Sequence, residues 1–399
     1  MRKTIRKFKN TAHLLLAALA NSLYAFPSRN MVVIGVTGTD GKTTTSSLIY
    51  HILEEAGQKV ALVSTLGAII DGKDYETGFH VTTPSAFALQ KYIKIAKEKG
   101  CTHIILEVTS HALNQNRVFG IKFNIGVLTN ITHEHFDYHK TYKNYVYEKI
   151  KLLKNSKLAI VNSNGDWFPY IQKEIPDEKL KTYSLNGKLK SDTSLQTLPF
   201  KIKTKLTGDF NLENIIAGIL VSIELGIKPS VIDMAIQSFE APVGRGQIIE
   251  AKNIGRVMID FAHTPNSFEN VLKDIKGKTT GKLIHVFSCA GERDKSKRPL
   301  MGKVASKYDD IMVLTSEDPR GESVAKINEE ILSGIDKKDS LEIHQIPDRK
   351  DAIFYALSLA KDKDTVVITG KGHERYMNYG HGEIPWSDEK VVREFLSKI

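Results

Sequence analysis

The chain has 399 residues, more than one ordinary domain holds, and its 41% hydrophobic and 26% charged content is that of a globular protein with a sizeable core. The net charge of +10 comes from lysines spread along the chain rather than gathered in one block, which argues against nucleic acid and for anionic small substrates. Cys101 and Cys289 lie far apart in apolar runs, so they form neither a disulfide framework nor a thiolate metal spacing, as fits a reducing compartment.

Residues 1–30 read as an N-terminal helical segment. The basic start MRKTIRKFKN and the apolar AHLLLAALANSLYAF imitate a secretory signal peptide. The apolar run is short and interrupted by Asn21 and Ser22, so it does not span a bilayer. It fits a cytoplasmic helix packed on the next domain, with peripheral membrane contact through the basic start as the alternative.

Met31–Tyr50 reads MVVIGVTGTDGKTTTSSLIY. A β-branched run suited to a buried strand, Met31–Val36, meets the turn Gly38-Thr39-Asp40-Gly41. Lys42, Thr43, Thr44 and Thr45 follow, then a helical pattern over Ser46–Leu53. These are the parts of a phosphate cradle: loop amides and a helix N-terminus face the anion, Lys42 reaches the terminal phosphates, and the Thr43 hydroxyl ligates Mg²⁺. The strict spacing would place glycine at 36, where Val36 stands.

Short buried strands are expected at Val60–Ser64, His103–Val108, Ile125–Thr129 and Leu158–Asn162, with helices at Ala86–Lys99 and Tyr142–Lys154. Such alternation predicts a mostly parallel sheet covered by helices, with ligands at the carboxyl ends of the strands. Lys173–Leu206 is a polar, lysine-rich excursion with weaker strands. Gly208–Asn214 opens a helix to about Leu225, and a second helix starts at Pro229. The break Ala241–Gly246 marks a boundary, giving a central domain over 31–242 and a smaller one over 243–399. In the second, strands are expected at Val257–Asp260, Lys282–Phe287, Ile311–Thr315 and Thr365–Thr369, and helices near Ser267–Ile275, Ser323–Ile335 and Lys350–Lys361.

Polar clusters fall at strand ends. Glu107–Arg117 follows one strand, and Thr129–His139, with His133, His135 and His139, follows another. Glu107 and His135 are candidate ligands for a divalent cation, and their oxygen-rich surroundings suit Mg²⁺ better than zinc. On spacing alone Lys149 is one solvated lysine among many. In the second domain, Asp260–Asn266, the basic loop Gly291–Pro299, Ser316–Arg320 and Gly370–Glu374 follow strands and together suggest a ligand cleft. The arginines of Gly291–Pro299 are suited to gripping carboxylate or phosphate.

These motifs resemble the Mur ligase family, most closely the type that adds the third peptide residue to a muramoyl dipeptide. They are GTDGKTTT at Gly38–Thr45, EVTSHALNQNRV at Glu107–Val118, TNITHEHFDYH at Thr129–His139, GDFNLEN at Gly208–Asn214, DFAHTP at Asp260–Pro265, GERDKSKRP at Gly291–Pro299, DPR at Asp318–Arg320 and GKGHE at Gly370–Glu374. The resemblance implies a central phosphate-loop ATPase domain followed by a Rossmann-like α/β domain. It implies an amide ligase that activates a carboxylate as an acyl phosphate and passes it to an amine, with ATP and Mg²⁺. Lys42, Glu107, His135 and Lys149 take the catalytic positions. Thr43, Glu107, His135 and Lys149 take the metal positions, with Lys149 carbamylated. Gly38, Thr39, Asp40, Gly41, Lys42, Thr43, Thr44, Asn214, Arg245 and Asp260 take ATP positions. Thr82, Thr83, Thr109, Gln115 and Arg117 take muramoyl-peptide positions. Arg293, Asp318, Arg320, Gly370 and Glu374 take the pocket for the added amino acid.

Several positions depart from the family pattern. Asp40 stands for Asn, Thr109 for Ser, Val81 for Asn and Glu134 for Asp, and Glu317-Asp318-Pro319-Arg320 replaces DNPR. Arg320 is retained, which favours meso-diaminopimelate over lysine as the added amino acid. About thirty residues precede the phosphate loop, fewer than a uridine-binding domain takes. The implication is a loosely held UDP, a partner that supplies those contacts, or an acceptor without UDP. The alternatives are a folylpolyglutamate- or cyanophycin-type ligase, against which SHALNQNR and GKGHE count, and a non-catalytic nucleotide-binding scaffold, against which the retained Lys42, Glu107, His135 and Lys149 count.

Overall fold

The computed structural model describes residues 2–77, 82–251, 254–336 and 340–398. Val81 lies outside them. The chain forms two compact units: one takes the chain up to Thr132 and Thr141–Glu240, the other His133–Lys140 and the chain from Ala241 on.

The first unit opens with helix α1 (Arg2–Leu23), strand β1 (Val32–Thr37) and helix α2 (Lys42–Glu55). Then come β2 (Val60–Ser64), β3 (Gly67–Ile70), β4 (Lys73–Tyr75), α3 (Ala86–Glu98), β5 (His103–Glu107), α4 (Ser110–Asn114) and β6 (Phe123–Leu128). The short α5 (Phe136–His139) belongs to the second unit. The first unit resumes with α6 (Tyr142–Lys154), β7 (Ser156–Asn162), α7 (Phe168–Glu174), β8 (Leu180–Tyr183), α8 (Asp209–Glu224) and α9 (Pro229–Ser238). Its sheet runs β4-β3-β2-β5-β1-β6-β7-β8 and is parallel from β2 to β8.

The apolar strands make sense because helices cover both faces. Val33 packs with Leu89, Ile93 and Leu152 on one side, while Ile34 and Val36 pack with Ile49, Leu53 and Ile216 on the other. Val36 pairs with Glu107 and Thr37 with Leu128, so the loops after β1, β5 and β6 emerge side by side. The hairpin β3–β4 is antiparallel and turns on Asp71 and Gly72, both at positive φ. No strand was expected there, because the pieces are too short to show a period.

The second unit contains β9 (Gln247–Ala251), β10 (Gly255–Ile259), α10 (Pro265–Lys276), β11 (Leu283–Phe287), α11 (Lys297–Tyr308), β12 (Ile311–Leu314) and α12 (Val324–Leu332). It ends with β13 (Glu342–Gln345), α13 (Arg349–Leu359), β14 (Thr365–Ile368), β15 (Tyr376–Asn378), β16 (Glu383–Pro385) and α14 (Asp388–Leu396). The order is β13-β12-β11-β14-β10-β9, parallel but for the edge strand β9, and β15–β16 form a separate hairpin. Its core joins Val257, Ile284, Val313 and Val366 to Ala352 and Leu357 of α13.

One expectation is corrected here. The basic stretch Gly291–Pro299 is not all a ligand-gripping loop: α11 begins inside it, and Lys297 and Arg298 are buried. Arg298 does bind carboxylates, but those of Glu322 and Glu330, at 2.8 to 3.2 Å. Among the described residues, no helix is long and apolar enough to cross a membrane.

Candidate active site

The phosphate loop sits in the middle of the first sheet, between β5 and β6. Helix α2 begins at Lys42, four residues earlier than its apolar pattern suggests, so Lys42, Thr43 and Thr44 occupy its first turn. First-turn amides of a helix make no hydrogen bond to a preceding helical carbonyl and point towards its N-terminal end, where an anion binds. Gly41 caps the helix at φ 80°, and a Cβ there would lie 2.3 Å from Asn214 Oδ1. Only glycine meets both demands.

The loop after β6 pins the cradle from beside. Asn130 Oδ1 accepts from the Asp40 amide at 2.8 Å, the Thr129 hydroxyl donates to Asp40 O at 2.7 Å, and Thr39 N donates to Asn130 O at 2.8 Å. Lys42 Nζ donates to Thr39 O at 2.7 Å. From α6, Lys149 Nζ reaches Gly38 O at 2.6 Å and sits 4.6 Å over the Tyr145 ring. Lys149 is buried, so the reading of a solvated lysine from its spacing is wrong. The Tyr145 hydroxyl pairs with Thr39 Oγ1 at 3.0 Å.

Glu107 ends β5 and is buried. Both of its carboxylate oxygens lie 3.1 Å from Thr43 Oγ1, and Thr65 donates to them through its amide and hydroxyl at 3.0 Å. A hydroxyl and a carboxylate beside a phosphate loop are hard oxygen donors. They fit Mg²⁺, which takes few protein ligands and completes its shell with water and phosphate oxygens. Among the described residues, no group of three or more His, Cys, Asp or Glu is arranged to hold a metal ion. Asn214 is buried behind the cradle, accepting from Thr45 Oγ1 at 3.2 Å.

Thr82, Thr83, Thr109, Gln115 and Arg117 form one connected patch. Thr65 Oγ1 pairs with Thr82 Oγ1 at 3.0 Å, Thr83 Oγ1 donates to Glu107 O at 2.9 Å, and Thr109 N donates to Thr83 Oγ1 at 3.0 Å. Arg117 donates to Thr83 O at 2.6 Å and forks onto Gln115 Oε1 at 2.7 and 2.9 Å. Thr65 joins the metal candidate to this patch. Sequence reasoning missed it, because a lone threonine after a strand carries no motif.

His135 lies in the second unit, in left-handed conformation, with Nδ1 3.7 Å from Glu134 Oε1. Its segment is anchored there: Phe136 N donates to Asp294 Oδ2 at 2.9 Å, and Lys297 Nζ lies 3.3 Å from both Glu134 oxygens. Burial opposes the charge on Lys297 most strongly, but Glu134, Cys289 and Glu317 together outweigh it and the pKa is raised. Arg245 lies 4.3 Å over the Phe261 ring, and Asp260 accepts from the amides of Gly246 and Ala262 at 2.6 and 2.7 Å.

The remaining candidates gather where β11, β12 and β14 end. Arg320 donates to Gly291 O at 2.5 Å and has Nη2 3.8 Å from Asp318. Asp318 accepts from Lys371 Nζ at 2.9 Å and Asn378 N at 3.0 Å, and Lys371 also pairs with Glu374 at 2.5 Å. Arg293 is held below the usual guanidinium range, first by burial and then by the like charge of Arg320. Gly370 has φ 100°, and a Cβ there would lie 2.1 Å from Glu317 Oε2. Burial pushes the Glu317 carboxyl up to about 7, against the pull of Lys297, Arg349 and Lys371.

A glycine cradle on a parallel sheet, an oxygen pair beside it, and a charged pocket in a second α/β unit define a nucleotide-using α/β enzyme. Residues 36–222 match the Mur ligase middle domain, and residues 244–372 match the Mur ligase glutamate ligase domain. The UDP-N-acetylmuramoyl-L-alanyl-D-glutamate–2,6-diaminopimelate ligase of Clostridium tetani is 36% identical, over 99% of this chain and 84% of that one. Its counterpart in Aquifex aeolicus is 40% identical, over 94% and 80%. A solved structure of a ligase of that name superposes with a TM-score of 0.62 at 31% identity, covering 93% of this chain and 79% of that one. A bifunctional folylpolyglutamate synthase/dihydrofolate synthase with Mn, AMPPNP and L-glutamate bound shares the fold, with a TM-score of 0.70 at 19% identity over 90% and 92%. The chain belongs to the Mur ligase family and is an ATP-dependent, amide-bond-forming ligase of peptidoglycan precursor synthesis.

Proposed function

We propose that this ligase adds meso-diaminopimelate to UDP-MurNAc-L-Ala-D-Glu. The observation that carries the reading is the 36% and 40% identity with diaminopimelate ligases over nearly the whole chain. The reaction is assigned to the cytoplasm, where ATP and the nucleotide-linked acceptor are made.

The acceptor peptide lies on the Thr82–Thr83–Thr109–Arg117 patch, with its free carboxylate toward the phosphate loop. That carboxylate attacks the γ-phosphorus of ATP, the bond to the β-γ bridging oxygen breaks, and ADP leaves from an acyl phosphate. The amine of the added amino acid then attacks the acyl carbon, gives up a proton, and phosphate departs. Lys42 and the α2 amides offset charge that grows on the transferred group, so the chain works mainly by positioning and electrostatics. Thr43 and Glu107, with a carbamylated Lys149, would hold Mg²⁺, which would supply charge neutralisation at the phosphates.

Arg320 offers a bidentate fork to the distal carboxylate of diaminopimelate. L-Lysine is the second reading, favoured by Asp318, a carboxylate where a neutral amide is usual. Phosphate release is measured with ATP, UDP-MurNAc-L-Ala-D-Glu and each amino acid in turn, with the product identified by mass spectrometry. Release that needs both substrates and yields the diaminopimelate tripeptide is expected. Turnover with lysine alone would overturn the amino-acid assignment. Turnover only with an acceptor lacking UDP would overturn the acceptor.

A further inference from the structure

Arg349 stands at the start of α13 and is fully buried. Its Nε and Nη2 bind the two oxygens of Asp388 at 2.9 and 2.8 Å. Its other contacts are backbone carbonyls: Nη1 donates to Ser316 O at 3.2 Å and Nη2 to Thr369 O at 2.8 Å. Asp388 is also fully buried, and the indole Nε1 of Trp386 donates to its Oδ1 at 2.8 Å.

Those two carbonyls have a particular place in the chain. Ser316 immediately precedes Glu317–Arg320, and Thr369 immediately precedes Gly370–Glu374. One planar group therefore ties the roots of two of the three loops that carry the amino-acid pocket. Thr369 is held a second time, by its hydroxyl 2.9 Å from His285 Nε2, and His285 Nδ1 lies 3.0 Å from Asp309.

A buried ion pair is a poor device for stability alone, because desolvation offsets much of the attraction and apolar packing of the same volume serves as well. Its advantage is geometric. A guanidinium presents its donors in a rigid fork, which a lysine or an apolar group lacks. We propose that the Arg349–Asp388 pair, steadied by Trp386, is a positioning device that sets the spacing between Asp318 and Arg320 on one loop and Gly370 and Glu374 on the other. What the pocket binds rests on the ligase reading; the clasp itself does not.

Two variants test it. Arg349→Lys keeps the charge and loses the fork. Trp386→Phe keeps the pair and removes one donor, and it carries the test alone if Arg349→Lys does not fold. The KM for the added amino acid should rise about tenfold or more in Arg349→Lys and a few-fold in Trp386→Phe, while the KM for ATP stays within about twofold. Hydrogen exchange should speed up at the amides of Glu317, Asp318, Arg320 and 370–374 and stay unchanged in β10 and β11. Both KM values rising together, or loop exchange unchanged in soluble variants, overturns the clasp. A wild-type enzyme silent with every amino acid overturns the ligase reading instead, and the exchange experiment then decides the clasp.

Discussion

Single side chains in the second unit carry charges that burial makes conditional. Glu317 is the clearest, because a carboxyl raised to about 7 binds its proton more tightly folded than unfolded. Between an unfolded value near 4.5 and a folded value near 7, the native state holds more protons, so stability falls as pH rises through that window. Glu317→Gln keeps the neutral shape and removes the titration. Unfolding free energies from urea titrations of wild type and variant should lie close together at pH 4.5 and diverge in the variant's favour by pH 8, by on the order of 3 kcal/mol. A constant difference across that range would show that the carboxyl does not titrate there. Arg320 makes the companion prediction about chemistry. Its fork has a carboxylate to bind only if the incoming amino acid carries a distal one. Arg320→Ala should therefore raise the KM for diaminopimelate by about tenfold or more and change lysine use little. Equal loss with both would remove Arg320 from specificity.

Short elements do the positioning, and they mark the limit of what the sequence discloses. Helix α4 has only the turn Ser110–Asn114, and Thr109 starts it by accepting from the Ala112 amide at 3.1 Å. The same Thr109 joins Thr83, so cap and candidate acceptor patch share one hydroxyl. Thr109→Ala should cost about 1 kcal/mol, the usual loss for a cap, and raise the KM for the muramoyl peptide. Thr109→Ser should do neither, because serine caps equally well. Chemical denaturation and initial rates separate the two effects. The strand–loop–helix of β1 and α2 was legible because a β-branched run, glycines and Lys-Thr each report the same local geometry. The candidate site residues were named from motifs, and the structure joins them within each unit through partners that carry none, such as Thr65. Lys149 shows the converse: no spacing distinguishes it, and only the fold places its amine on Gly38 O. Strands β3, β4, β15 and β16 escaped because pieces of three or four residues carry no period, and α11 because buried Lys297 and Arg298 look like a solvated basic run.

At the scale of the whole molecule, the excess of positive charge has a kinetic meaning. A net charge of +10 spread over the chain raises the local concentration of polyanions and attracts them over distances longer than any hydrogen bond. The proposed acceptor and ATP are both polyanionic, whereas the added amino acid is a zwitterion at neutral pH. Salt screens that attraction over about 8 Å at physiological ionic strength and over about 3 Å at 1 M. The value of kcat/KM for ATP and for the muramoyl acceptor should therefore fall several-fold between about 0.05 and 0.5 M salt, while that for the amino acid changes little. The contrast between substrates matters, since a general loss of structure would lower all three together. Flat salt dependence for the two anionic substrates would mean that the positive charge serves solubility or another partner. A fall for the anions alone would show that the chain's charge is matched to the substrates proposed for it.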